Sequence, residues 1–355
     1  MRAAAPEREN ARRRPPFPLV LAGLAAVLLA SVTAGLTAGS VAVPPGEVWG
    51  ILLRGGLGLP WPEAGWSRPR ETIVLEVRAP RVLLGAVVGA GLAVLGTAMQ
   101  ALVRNPLADP YLLGVSSGAS LGAVAVIVGG VTFAGMYALP LGAFAGALLA
   151  LVLVYGTARA AGRITALRLV LAGVAVASVL SALTSLLLLT QRGNEAREVL
   201  AWMLGGLGGA RWDTLWLPAA VLGAALAALA ACARPLNLLL AGEEAAGTMG
   251  LDVGRFRTRL FVALSLVTGV LVAAAGPIGF VGLMLPHAVR LVVGGDHRRV
   301  LPAAALGGAA FLVLADLAAR TVAAPQEIPV GVLTSLCGGP FFLWLMRRDG
   351  RRAAR

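Results

Sequence analysis

Runs of about twenty consecutive apolar residues recur along this chain, separated by short stretches that carry arginine, proline or glycine. A helix rises about 1.5 Å per residue and the hydrocarbon core of a bilayer is about 30 Å thick, so roughly 20 apolar residues make one crossing. On that scale the candidate spans are 18–40, 80–103, 111–131, 136–158, 167–190, 214–233, 259–275, 278–293, 300–319 and 328–346. The chain therefore reads as an all-α polytopic membrane protein with ten transmembrane helices. With 58% hydrophobic and 13% charged residues, it lacks the polar surface that a soluble domain of this size needs. The stretch from 259 to 293 is the hardest to divide. Arg255, Arg257 and Arg259 precede or begin it and Arg290, Arg298 and Arg299 end it, so a hairpin about Gly276-Pro277 places both basic sets on one side.

Charge gives orientation. The formal net charge is +13, and all thirty basic residues are arginine. They cluster at the ends of apolar runs, which points to placement in the bilayer and contact with membrane lipid rather than to nucleic acid. If the N-terminus lies inside, 21 of the 30 arginines fall on the cytoplasmic side, so both termini are expected there. The basic start before Phe17 has the look of a signal peptide, but the apolar run continues to Val41 with no convincing cleavage site, and it is taken as the first span. The absence of lysine excludes a Walker A loop and Schiff-base chemistry. Cys232, Cys337, His287 and His297 share no ligand spacing, so neither a zinc site nor a disulfide is expected.

Several stretches say more than hydropathy does. Asn105-Pro106 and Asp109-Pro110 each disfavour a helical residue before the proline, giving a tight cytoplasmic reversal between spans two and three. In 233–260, Pro235 opens a short apolar turn, Gly242 breaks it, Glu243 and Glu244 occupy a first helical turn, and Gly250 is placed to cap its end. Two short helices with exposed apolar faces suit protein docking; a capped connecting loop is the alternative. Arg78, Arg81 and Arg320 lie on the outer side, against the orientation rule, although Asp316 four residues before Arg320 also fits a local helical ion pair. His287, after Pro286 inside a short span, is either a functional polar group or a packing residue. The segment 42–78, with Pro44, Pro45, Trp49, Trp61 and Trp66, reads as short interfacial structure. Gly85/Gly89, Gly118/Gly122 and Gly142/Gly146 have the spacing that lets membrane helices approach closely.

In order along the chain, "RAPR" (78–81), "GTAMQALVRNPLADPYLLGVSSGA" (96–119), "LAGVA" (171–175), "LNLLLAGEEAAGTMGLDV" (236–253), "GFVGLMLPHAVR" (279–290), "ADLAAR" (315–320) and "EIPVGVLTSLCGGPFFLWL" (327–345) together resemble the permease subunits of iron-siderophore, haem and vitamin B12 importers of the ATP-binding-cassette (ABC) class, the FecCD or BtuC-like family. The resemblance implies a type II ABC importer fold. It divides the chain into a basic cytoplasmic tail at 1–17, one ten-helix permease domain at 18–346 with a cytoplasmic coupling segment at 235–258, and a second basic tail at 347–355. It further implies a homodimer or a pair with a related permease, two separate ATPase subunits that bind ATP and magnesium, an extracytoplasmic substrate-binding protein, and no cofactor in this chain. The location implied is the cytoplasmic membrane of a bacterium.

Carried over to these positions, the resemblance makes Asn105, Pro106 and Leu107 one inner constriction of the path and Thr165, Ala166 and Leu167 the other. Leu236, Asn237, Gly242, Glu243 and Gly250 belong to the ATPase-coupling element, and Arg78, Arg81 and Arg320 become partly exposed receivers of acidic residues on the binding protein. Residues 194–209 resemble a short outer helix at the mouth of the path, with Val199, Leu200, Trp202 and Met203 on its wall. Ferric siderophore is the first expectation for cargo, haem the second and B12 the third. A secondary active transporter is the competing function, but no midplane pair of acids supports it. A membrane-embedded enzyme would need a cluster of catalytic groups that this chain does not offer.

Overall fold

The computed structural model describes residues 15–353 apart from 40, 57, 59–64, 132, 133, 161, 163, 192 and 193. Seven of its helices are long and apolar enough to cross a membrane, and three shorter apolar ones complete ten. The long ones contain α1 (Phe17–Thr37), α4 (Ala79–Val103), α6 (Ala138–Ala160), α7 (Ala166–Leu189), α9 (Trp212–Ala231), α12 (Val253–Ala275) and α14 (His297–Thr321). The shorter ones are α5 (Val115–Val128), α13 (Val281–Val293) and the apolar part of α15 (Val330–Ala353), which continues through the start of the expected tail at 347. Between them lie α2 (Pro45–Ile51), α3 (Arg68–Thr72), α8 (Asn194–Met203), α10 (Ala233–Leu240) and α11 (Glu243–Thr248).

At the centre stands α4, buried along nearly its whole length and packed by α14, α13, α12 and α9. Its path differs from expectation. A π-helical stretch, Ile73–Arg78, joins it to α3, so one helix runs from Arg68 to Val103. Those 36 residues span about 54 Å, well beyond the bilayer core. Pro69 does not break it because it sits in the first turn, where the missing N–H is not needed, and Pro80 comes directly after the π-helical stretch, where the regular bonding pattern is already interrupted.

Glycines set the close crossings. A Cβ on Gly89 would stand 2.2 Å from the Gly308 carbonyl oxygen, and Gly118 faces Gly146, and Gly122 faces Gly142, at 2.3 and 2.0 Å. These contacts join α4 to α14 and α5 to α6 backbone against backbone. Lipid tails are as apolar as leucine, so close packing of this kind holds membrane helices together where the hydrophobic effect does not. Gly85 meets side chains instead, those of Leu207 and Val313.

The segment 42–78 corrects the interfacial reading in part. Val48, Ile51 and Val74 are fully buried and join Leu36, Val82 and Val313 in a satellite core over the ends of α1, α4 and α14, with Trp66 packed against it. Trp49 stays 37% exposed, and Trp61 lies outside the described residues.

Two helices are short because the backbone beside them is irregular. Residues 105–114 fold back along α4, and Pro110 packs on Gly282, which itself lies against Gly96, seven residues before the end of α4. The expected span at 111–131 thus begins with a 3-10 turn, Pro110–Leu113, and α5 starts only at Val115. Residues 276–280 form the matching irregular stretch before α13. The Tyr111 hydroxyl serves both segments, donating to the Ile278 carbonyl at 3.0 Å and accepting from the Ile278 N–H at 2.8 Å. Irregular backbone at membrane depth must find its partners inside the protein, and this phenol supplies two at once.

Candidate functional site: a two-helix segment and the two turns beside it

The α10–α11 segment is shaped by its glycines. Gly242 (φ 110°) turns the chain between the helices, and Gly250 (φ 85°) ends α11 in a Schellman motif, with Gly250 N–H on the Gly247 carbonyl and Leu251 N–H on the Ala246 carbonyl, both at 3.0 Å. Leu236, Leu239 and Ala246 are buried beneath it, while Leu240 (51%) and Met249 (54%) are exposed. The pattern matches two short helices with an apolar outer face.

Asn237 fastens α10 to the start of α14. Its amide nitrogen donates to Asp296 Oδ1 at 2.7 Å, and its oxygen accepts from the His297 N–H at 2.9 Å and lies 2.7 Å from His297 Nδ1. Asp296 also caps α14 by accepting from the Arg298 N–H. The Asn237 amide, then that backbone N–H, hold the Asp296 carboxyl below its usual range.

Glu243, the first residue of α11, reaches both turns expected to form constrictions. Arg257 of α12 donates to it at 2.6 Å and also donates to the Ile164 carbonyl at 3.4 Å, one residue before Thr165. Arg104 donates to the same Glu243 oxygen at 3.4 Å from the residue before Asn105. Arg104 takes a left-handed backbone (φ 54°), a place usually held by glycine. In the first turn, Asn105 Oδ1 accepts from the Leu107 N–H at 2.9 Å, leaving Leu107 38% exposed beyond Pro106. In the second, Thr165 caps α7 by accepting from the Arg168 N–H, with Ala166 opening the helix and Leu167 67% exposed. A cleft of about 830 Å³ opens beside this second turn, lined by Thr165, Leu167, Arg168, Glu243 and Arg257.

Asp109 begins the 3-10 turn and accepts from the Tyr111 N–H at 2.9 Å. Burial raises its carboxyl to about 6, against the opposing pull of that N–H.

The opposite end holds the three other arginines, and here the structure corrects the expectation of partly exposed groups. Arg78 is 4% exposed. It donates to the carbonyls of Leu36 (2.8 Å), Thr37 (3.0 Å) and Val41. Arg320 donates to the Gly35 carbonyl at 2.7 Å, and the Ala38 N–H takes that of Ala34. The four last carbonyls of α1, which no helix can satisfy internally, are therefore all occupied. Arg81 grips Asp316 through Nε and Nη2 at 3.0 and 2.9 Å, and Glu327 through Nη1 and Nη2 at 3.1 and 2.9 Å. The local Asp316–Arg320 pair also exists, at 3.3 Å, inside this larger cluster. Only Glu327 of the group is well exposed, at 53%.

At that same end α8 places Val199 wholly inside the bundle rather than on a path wall. Leu200 is 49% exposed, and Met203 lines a cavity of about 430 Å³ with Leu204, Pro277 and Ser335. His287 sets its ring edge-on to Phe341 at 6.3 Å. Hydropathy gave no sign of Tyr111, Arg257 or the Asp296–His297 pair as site residues. Their partners lie 167, 14 and about 60 positions away, and only the basic character of Arg257 marked its end of the bundle.

The chain is 48% identical over 309 residues to the cobalamin import system permease protein BtuC of Halobacterium salinarum, covering 83% of this chain and 82% of that one. It is 44% identical over 286 residues to the hemin transport system permease protein HmuU of Yersinia pestis, 78% and 84% of the two chains. The vitamin B12 import system permease protein BtuC of Escherichia coli is 42% identical over 303 residues, 85% and 92%. Among solved structures, an inward-facing metal-chelate type ABC transporter superposes with a TM-score of 0.81 at 29% identity, covering 93% of this chain and 99% of that one. The model of the FecCD transport family matches residues 27–348, and the chain belongs to that family.

Proposed function

We propose that the chain is the membrane permease subunit of an ABC importer, with both termini and the α10–α11 segment in the cytoplasm, and that its cargo is a corrinoid or haem. The observation that carries this reading is the α10–α11 element: a capped pair of short helices with Leu240 and Met249 exposed, ion-paired to Arg104 in one turn at the end of the bundle and to Arg257 of α12, which holds the other. Such an element receives a push from a partner. Lysine is absent, so phosphate binding and hydrolysis by a Walker A loop belong to a separate ATPase subunit. The names of the relatives at 42–48% identity support cobalamin or haem ahead of the ferric siderophore that motifs alone put first.

In this mechanism the chain performs no covalent step. Two copies, or this chain and a related permease, enclose the path, and the exposed apolar residues Leu167, Leu171 and Val174 on one face of α7 suit such an interface or the path wall. ATP binding draws the ATPases together, α10–α11 follow, and the turns at 104–107 and 164–167 open or close. Only contacts that differ between the two states bias that equilibrium. Binding-protein docking falls to the opposite end, where the exposed Glu327 and its partner Arg81 present charge, while Arg78 and Arg320 hold the surface in shape.

The test is reconstitution. The purified chain should hydrolyse no ATP, should copurify with a P-loop subunit from its own cell, and with it and a binding protein should drive uptake of labelled cobalamin or haem into vesicles. Ion-driven uptake by the chain alone would reject the reading in favour of a secondary transporter. ATP-driven uptake of ferric siderophore but of neither tetrapyrrole would reject the cargo assignment alone.

A further inference from the structure

One carboxylate touches everything that has to move. Glu243 lies in the first turn of α11, and its Oε1 accepts from two arginines of different elements. Through Arg104 it holds the turn 104–109, and through Arg257, whose second nitrogen donates to the Ile164 carbonyl, it holds the turn before α7. The two links differ in strength. Arg257 is a 3% exposed side chain at 2.6 Å, a short charge-assisted bond with little water to screen it. Arg104 is 44% exposed at 3.4 Å, a contact of the kind that water and salt weaken.

We infer that Glu243 is the positioning residue that links the coupling helix to both inner turns, with the Arg257 arm kept closed and the Arg104 arm made and broken as the transporter cycles. This deepens the reading of the chain as an importer permease and rests on it. Glu244, next along the helix, provides the contrast, being an exposed acid of the same charge. A general electrostatic effect on the helix terminus would not distinguish the two neighbours; a specific link does.

The inference is tested on the full chain in lipid nanodiscs by hydrogen–deuterium exchange, which needs no ATPase. Glu243→Gln should speed exchange in both turns, 104–109 and 164–168, by about fivefold or more, the loss expected of an ion pair that gates local opening. Arg104→Gln should loosen 104–109 alone, and Glu244→Gln neither turn. If Glu243→Gln loosens one turn or none, or loosens the whole bundle evenly, or if Glu244→Gln has the same effect, the link is rejected. Arg104→Gln, an exposed and conservative change, keeps the question decidable should the Glu243 variant fold poorly: loosening of both turns, or of neither, overturns the proposed arms. In the assembled importer Glu243→Gln should lower uptake per ATP hydrolysed by about fivefold or more, within the usual range of coupling between sites. Unchanged uptake per ATP would overturn the role in coupling while leaving the permease reading intact.

Discussion

The two ends of the bundle use the same chemistry, arginine on carboxylate and carbonyl oxygen, for opposite purposes. At the α1 end Arg78, Arg81 and Arg320 are almost fully enclosed, and their bonds tie the ends of α1, α4 and α14 together. At the α10–α11 end Glu243 is 38% exposed and shared, and one of its two partners is open to water. Burial makes the first set costly to break and the second cheap to rearrange. A transporter needs both, a fixed frame on one side and adjustable joints on the other.

The contrast can be broken by mutation, with the largest effect expected at the enclosed end. Asp316→Ala leaves Arg81 and Arg320 buried without their shared carboxylate, and should lower unfolding stability in detergent by about 3–5 kcal/mol. Arg78→Ala strips the Leu36 carbonyl of its buried donor, leaves that of Thr37 only the Val43 N–H, and should cost about 2–3 kcal/mol in the same measurement. A loss below about 1 kcal/mol in either variant would mean that this end is not the fixed frame described.

Asp109 sharpens the comparison through pH. Its carboxyl is raised to about 6 when folded, so the folded protein holds this proton more tightly than the unfolded chain, whose carboxyl titrates near its ordinary value. Stability should therefore fall as pH rises from about 4 through 6, and stay reduced above that. Asp109→Asn should add about 2 kcal/mol at pH 7 and almost nothing at pH 4. Equal effects at both pH values would show that the charge at this turn is not penalised. The smallest effect belongs to Arg104→Gln, expected to cost under about 1 kcal/mol and to shrink further in high salt. A cost like that of Asp316→Ala would abolish the distinction between the ends.

How much of this was legible in the sequence follows from what hydropathy measures. Length and apolarity located all ten helices, because crossing a bilayer demands a run of fixed size. They missed the start of α5, since the chain there folds back as a turn before becoming helical, and apolarity does not separate the two. They also missed the extension of α4 to Arg68, because charged residues interrupt an apolar run without interrupting a helix. The glycines at 118, 122, 142 and 146 were legible as a close contact, though which helix each would meet was not. For the site, the capped form of α10–α11 could be read from Gly242 and Gly250, both of which do adopt positive φ. The enclosure of Arg78 could not: its carbonyl partners lie 37 to 42 residues away, and an arginine near a span end looks the same whether it faces water or the end of another helix.

The Tyr111 clasp on Ile278 has a consequence for biosynthesis. Its two halves are 167 residues apart in the chain, so at about 5–20 residues per second the turn after α4 is made on the order of ten seconds or more before the backbone it will hold exists. During that interval the phenol has no Ile278 to bond, and the later arrival of α12 and α13 closes the structure from behind. Tyr111→Phe removes only this hydroxyl, so its damage should fall on the last stage of assembly, with α4–α6 inserting normally and the α12–α13 hairpin failing to seat.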